Sequence, residues 1–314
     1  MIVREFHLKF QIGDLILWHF PLQVAVVQVT LPMLLQEGQQ PVTADLEGTN
    51  HGVLVRSTPW TATTTLTREP GGWCYVMGRY QRHAVALQGS FDDYLGSFSA
   101  KSRATLRRKV RRFAALSNGE IHWQCYRSEE EMATFLHLAR PLAARTYQAT
   151  LLGAALPTDE AFTRSCLAAA KEGRAWGFLL FHEEEPVAYL YCPQEDGVLL
   201  YHYVGHDASL AAWSPGTVLH YLALQRLFAE PTALWFDFTE GEGEHKRLFA
   251  THSFPCANVL HVQGGVGMTL LLWLHRAMDG CSHALGQLLQ ALGLKARLRR
   301  WLRRAGSDQE RTAE

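Results

Sequence analysis

Within ALWFDFTEGEGEHKRLF stand an acid and a base, Asp237 and Lys246, close enough in sequence to share one loop. Strand alternation puts Leu234, Phe236 and Phe238 on one face and Trp235, Asp237 and Thr239 on the other, so Asp237 faces the same way as the loop that follows. In a cleft that carboxylate can orient an amine or take its proton, while Lys246 can bind an acidic group of a ligand. An ion pair that only fixes the loop accounts for the same residues. Tyr203 in YHYVGH offers a phenol that can act as a general acid, although an aromatic on a central strand more often serves packing. His202 and His206 are four apart, which would put them on one face of a helix; the segment reads as strand and no third ligand stands out, so no metal site is expected.

A second chemical feature is the opening of AAWSPGTVLHYLALQRLF. Ser214 suits an N-cap whose hydroxyl accepts a backbone N–H, and Pro215 suits the first helical position. Gly216 removes a side chain where first-turn N–H groups and the positive end of the helix can meet an anion. Leu219, Leu222, Ala223 and Leu227 give this helix a packing face. A turn between strand and helix explains Ser-Pro-Gly as well. Upstream, SAKSRATLRRKVRRF places Leu106, Val110 and Phe113 on one stripe and surrounds it with Lys101, Arg103, Arg107, Arg108, Lys109, Arg111 and Arg112. The charges are either a solvated face or, with Arg107 as the assigned contact, a guide for an anionic donor or acceptor. No aromatic residues interleave there for base stacking, and DNA is not an expected partner.

The elements that must position these residues change in texture along the chain. Residues 1–90 read as short strands, VAVVQVTL, HGVLVRS, TATTTLTRE and CYVMGRYQRHAVAL, broken by turn residues. Three helical stretches follow: FDDYLGSFSAKSRATLRRKVRRFAAL, SEEEMATFLHLARPLAART and DEAFTRSCLAAAKEG. An antiparallel meander of AWGFLLF, VAYLYCPQ and VLLYHYVG leads to the Ser-Pro-Gly helix, the strand ALWFDF, the acidic loop and a strand near ANVLHV. The expected division is a β-rich part at 1–90, a mixed α/β part at 91–265, a basic amphipathic helical segment at 266–305 and a disordered tail at 306–314.

The 314 residues are 47% hydrophobic with a formal net charge of zero, which argues against a surface built throughout for nucleic acid. The 6 cysteines form no CxxC pair and fit reduced thiols in a cytoplasmic protein. Arg4, Glu5, Lys9 and Asp14 interrupt any signal-peptide pattern, and His19, Pro21, Gln23, Gln28 and Pro32 punctuate the apolar run from Leu15 to Leu35, so buried strands are expected there rather than a membrane span. In LGLKARLRRWLRRAG, Leu294, Leu298, Trp301 and Leu302 form a stripe among six basic residues; it suits peripheral association with an anionic membrane at the inner face, or packing with its charges solvated. GGVG lacks dinucleotide-loop spacing, and neither a phosphate-loop GK[ST] nor a GxSxG elbow occurs.

In their order, FDDYLGSFSAKSRATLRRKVRRF, ARTYQATLLGAALP, DASLAAWSPGTVL and WFDFTEGEGEHKRLF resemble the GNAT acyltransferase superfamily. More closely they resemble its cellulose-biosynthesis-associated acetyltransferase-like branch, which is related to Fem-type peptidyltransferases; the likeness runs from about 85 to 262. It implies an α/β (α+β) fold: a mixed, mostly antiparallel sheet flanked by helices, the β-rich N-terminal part being a reduced copy. It also implies acyl-CoA, acetyl-CoA included, as co-substrate without a metal, its pyrophosphate held by Ser214, Gly216, Thr217 and Val218. One Gly and a Pro replace the superfamily's two spaced glycines. The oxyanion would meet backbone amides near Val204 and Gly205, and Tyr147, Gln148 and His202 would line the acceptor cleft. The expected reaction is acyl transfer to an amine or hydroxyl of a small, glycan-linked or lipid-linked acceptor. The alternatives are an aminoacyl-tRNA-dependent transferase and a catalytically silent membrane-associated scaffold.

Overall fold

The computed structural model describes residues 2–13, 15–36, 51–146, 156–230, 232–241 and 243–291. Tyr147, Gln148 and the basic stripe from Leu294 to Arg304 lie outside them. The chain forms two compact units, one of residues 30–38 and 80–256, the other of residues 1–29, 39–79 and 257–314. The fold is mixed α/β, with mostly antiparallel strands flanked by helices.

The larger unit opens with α1 (Leu31–Leu35) and the end of β5 (Gly72–Ala86), then α2 (Phe91–Gly96), α3 (Ala100–Leu116), β6 (Trp123–Tyr126), α4 (Glu129–Ala144) and α5 (Glu160–Lys171). The meander follows as β7 (Ala175–His182), β8 (Glu185–Glu195), β9 (Val198–Leu200) and β10 (Tyr203–His206). A 3-10 turn (Ala208–Trp213) leads into α6 (Pro215–Ala229), β11 (Trp235–Asp237) and α7 (Glu244–Phe249). Strand order here is β5-β11-β9-β8-β7-β6, with β10 on β8. The helical stretch FDDYLGSFSAKSRATLRRKVRRFAAL holds two helices, because Ser97 closes α2 and Ser99 caps α3 by accepting from the Ser102 N–H. Capping boxes, Ser90 with Asp93 and Ser128 with Glu131, start α2 and α4.

Period-2 alternation sorts the core into two layers. Trp176, Phe178 and Leu180 of β7 and Ala188, Leu190 and Cys192 of β8 pack with Leu106, Phe113 and Leu219 of α3 and α6. Ala175, Leu179 and Phe181, with Tyr189 and Tyr191, pack with Phe135, Leu136 and Cys166 of α4 and α5.

The smaller unit pairs β1 (Ile2–Ile12) with β2 (Leu15–Gln28) antiparallel, and β2 with β3 (Gly52–Pro59) in parallel from Val24↔Gly52. Residues 257–263 of β12 (His252–Gln263) come next, then residues 72–79 of β5, with β4 (Leu66–Glu69) paired to β5. Helix α8 (Val266–Ala291) is pinned by the Trp73 indole donating to Thr269 Oγ1 at 2.8 Å and by the Tyr75 hydroxyl 2.6 Å from His275 Nδ1. The apolar run from Leu15 is a strand for two thirds of its length, as expected, yet Leu15, Ile16, Leu17 and Trp18 are exposed rather than buried. Among the described residues no helix is long and apolar enough to cross a membrane.

Candidate functional site

The site begins where one long strand breaks. Through β9 the chain runs parallel to β11, with Trp235↔Val198 and Asp237↔Leu200 in register, and the Tyr201 N–H donates to the Asp237 carbonyl at 2.8 Å as the last rung. The chain after β11 then leaves the sheet at Thr239, whose left-handed φ of 59° turns it away, while β10 stays on β8 from Tyr203↔Tyr191 to His206↔Ala188. Among the described residues no strand pairs with the other edge of β10. That edge offers backbone donors and acceptors to a ligand lying in the gap.

Gly205 shows how closely β10 is packed: a Cβ there would lie 2.4 Å from the Tyr189 ring and 2.7 Å from the Thr146 methyl. Tyr203 points to the α4/α5 layer, its ring 5.3 Å from Phe162, and burial pushes its phenol above the usual range, so it is protonated at neutral pH. Val204 packs against the opposite layer. His202 is exposed, with its ring 4.5 Å from that of Tyr203.

On the α6 side, His206 meets the bare first turn of the helix, where a Cβ on Gly216 would lie 3.4 Å from the imidazole Nδ1. Ser214 occupies the cap position with φ 57° and ψ 46°, a left-handed conformation, and its hydroxyl makes no capping bond, contrary to the reading from sequence. The 3-10 turn runs straight into α6 instead: the Ser214 N–H closes on the Ala211 carbonyl, and the Ser214 carbonyl accepts from the Val218 N–H, both at 3.1 Å. Helix geometry leaves the N–H groups of Gly216 and Thr217 without an intrahelical acceptor, at the positive end of the dipole. Lys109 of α3 reaches this turn, its Nζ 3.3 Å from Thr217 Oγ1, and the Arg112 guanidinium sits 4.6 Å over the Trp213 ring. Arg107 is exposed, and its charge acts on Tyr221 further along α6. The first turn therefore gathers two backbone donors, a hydroxyl and an ammonium, a set that fits phosphate oxygens.

Beneath the turn lies a histidine pair that sequence reasoning did not single out. His220 Nδ1 is 3.0 Å from the Gly216 carbonyl, and burial lowers its pKa to about 3, so the ring is neutral. Among the described residues its Nε2 has no hydrogen-bond partner. The Tyr201 ring lies 4.8 Å from His220, and the Tyr201 hydroxyl is 3.3 Å from Nε2 of His245 on α7. Desolvation, then the Lys246 charge, hold His245 below the ordinary imidazole range.

The structure places Asp237 and Lys246 differently from the cleft-facing pair expected. Asp237 is fully buried, and its carboxylate is held by Arg82: Nε donates to Oδ1 at 3.2 Å and Nη2 to Oδ2, while the Thr239 N–H donates to Oδ1 at 2.8 Å. Lys246 donates to the carbonyls of Phe238 at 2.9 Å and Glu240 at 2.7 Å, fixing the loop through its backbone. Burial lowers the Lys246 pKa to about 8, against the pull of Asp237. A buried carboxylate needs a buried counter-charge, and Arg82 supplies it from β5. The acidic loop carried no sign of that partner.

Residues 100–247 match the family described as an acetyltransferase (GNAT) domain. Among solved structures, the chain is similar to the C-terminal DUF2156 domain of an Agrobacterium fabrum protein, 13% identical over 71% of each chain with a TM-score of 0.47. It is also similar to L-PGS from Bacillus licheniformis, 16% identical over 71% of this chain and 72% of that one with a TM-score of 0.40. The likeness to FemX is 12% identity over 61% and 63%, with a TM-score of 0.39. No curated protein matches the chain.

Proposed function

We propose that this chain is a GNAT-type acyltransferase carrying an acetyl or longer acyl group from acyl-CoA to an amine or hydroxyl, on a small, glycan-linked or lipid-linked acceptor. The observation that carries the reading is Lys109 on Thr217 at the open first turn of α6, beside the strand break where β10 parts from β11. The donor's pyrophosphate occupies that turn, against Gly216 and Thr217; Ser214 and Val218, expected beside them, have already spent their N–H groups on the Ala211 and Ser214 carbonyls. Its pantetheine arm lies along the free edge of β10, and the amides near Val204 and Gly205 face the carbonyl oxygen. The acceptor's nitrogen or oxygen forms the new bond to the carbonyl carbon as the C–S bond breaks. Tyr203 gives its proton to the departing sulfur, the proton of the acceptor passes to water, and the Tyr203 phenolate regains a proton from water. Proximity supplies most of the acceleration, since no protein nucleophile is needed. Asp237 and Lys246 act as positioning residues that hold the loop beyond the break.

Isothermal titration of the full chain with CoA and acetyl-CoA tests the reading. Saturable binding that is lost in Gly216→Leu supports it, and failure of both ligands to bind removes it.

A polyanionic donor is the second reading, favoured by Lys101, Arg107, Arg108 and Arg111, which remain exposed on α3. Binding of aminoacyl-tRNA in the absence of CoA binding would select it. Peripheral attachment to an anionic membrane finds support in the exposed Leu15–Trp18 stretch of the smaller unit, and vesicle co-sedimentation tests it.

A further inference from the structure

Away from the strand break, three side chains with metal-binding chemistry converge in the smaller unit. Strand β4 pairs with β5 so that Thr67 faces Cys74 and Glu69 faces Gly72, which puts Glu69 and Cys74 on one side of the sheet. Cys74 packs on that side with Val76, Ala257 and Val259, and alternation along β12 from Ala257 and Val259 brings His261 to the same side. The outcome is a thiol, an imidazole and a carboxylate whose ligand atoms all lie within 4.8 Å of one another. His261 Nδ1 is already 3.1 Å from Glu69 Oε2. Cys74 is 3% exposed and His261 7%, whereas the Glu69 side chain is 44% exposed and opens the cluster to solvent.

We infer that Glu69, Cys74 and His261 form a zinc(II) site with three protein ligands and a water in the fourth position. Zinc takes S, N and O ligands at roughly 2.0–2.3 Å, so tetrahedral ligand atoms lie about 3.3–3.8 Å apart, and small side-chain rotations close the present cluster to that size. The donor set also selects the metal: a thiolate and an imidazole suit zinc, where magnesium and calcium want oxygen alone. One thiolate and one carboxylate neutralise the ion's two charges. On binding, the Cys74 sulfur exchanges its proton for the metal and the proton goes to solvent. The ligands come from three separate strands, so no C-x-x-C or H-x-x-x-H spacing announces them in the sequence.

The test uses the full chain, reduced and stripped with chelator, titrated with Zn²⁺ by calorimetry and with Co²⁺ by absorbance. One equivalent of zinc should bind, and cobalt should give a thiolate charge-transfer band. Cys74→Ser should abolish the band and weaken zinc by at least about tenfold, as should His261→Gln for affinity. Cys281→Ser, at an exposed thiol, should change neither. Glu69→Gln guards against misfolding in the buried variants: its side chain is half exposed, and it should keep the parent's melting temperature in chelator while losing zinc affinity. No stoichiometric zinc binding, a cobalt band that survives Cys74→Ser, or unaltered affinity in folded Glu69→Gln would each overturn the assignment.

Discussion

Lys109 and Thr217 are 108 residues apart in sequence, yet the Lys109 ammonium donates to the Thr217 hydroxyl at 3.3 Å across α3 and α6. The contact fixes a cation at the end of a helix that already favours anions. A charge-assisted bond of about 1.5–3 kcal/mol corresponds to a roughly 10–100-fold change in affinity. Lys109→Ala should therefore weaken CoA binding by that factor, with a shallower salt dependence. Arg107→Ala should change it less than about threefold. Calorimetry at two ionic strengths reads both, and equal losses would deny Lys109 its special place.

Gly216→Leu should hold the melting temperature to within a few degrees while donor binding falls at least about tenfold. The helix gains roughly 0.8 kcal/mol in propensity, and the new Cβ meets His206 at an ordinary contact of 3.4 Å, but the branched end covers the first-turn N–H groups. Thermal melts paired with CoA titration decide it.

Asp237→Ala should cost on the order of 3–5 kcal/mol, because it removes the buried carboxylate that balances the charge of the buried Arg82 guanidinium. Asp237→Asn should lower stability while leaving turnover per folded molecule near the parent value. Urea denaturation together with active-site-normalised rates checks this; a collapsed rate in a stable Asn variant would instead put the carboxylate on the substrate.

Stability should also carry the signature of Lys246. Its folded pKa, about 8, lies below the ordinary lysine value of 10.5, so between these values the unfolded chain holds the proton more tightly and stability rises with pH. The parent should gain stability relative to Lys246→Met over that window. A flat difference between the two denaturation profiles would mean that the ammonium is not desolvated.

His220 gives the complementary effect in acid. Below its ordinary 6.5 the unfolded chain takes up a proton that the folded ring refuses down to about 3, so stability is lost as pH falls through that range. His220→Phe, which keeps a ring against Phe249, should flatten the loss. Melts between pH 7 and pH 4 measure it.

What could be read from sequence was whatever acts locally. Pro215 and Gly216 mark a bare helix start because their backbone preferences travel with the residue, and the unbroken apolar run AWGFLLF gives the two-sided burial of β7 directly. Ser214 was misjudged because the 3-10 turn before it sets a left-handed backbone that composition alone does not encode. The stripe of Leu106 and Phe113 tells which side of α3 is inside, but the choice between Arg107 and Lys109 depends on where α6 lies beside it. Arg82 was illegible for the same reason: a buried ion pair closed across two distant strands leaves no mark on either segment. Nothing in the sequence links His220 to His245; only the fold brings both rings against that of Tyr201.

The pairing of β5 with β11 governs how the larger unit comes off the ribosome. Arg82 is made early and Asp237 155 residues later, so throughout that interval the guanidinium lacks this carboxylate and the Ala84–Ala86 stretch of β5 lacks β11. Non-local closure of this kind is slow. The nascent chain can build the β7–β8 hairpin and its covering helices on the way, but it completes the sheet only after Asp237 has emerged. A chain truncated before that point ends with an exposed strand edge, and holdase chaperones should bind such stalled products far more than the finished protein.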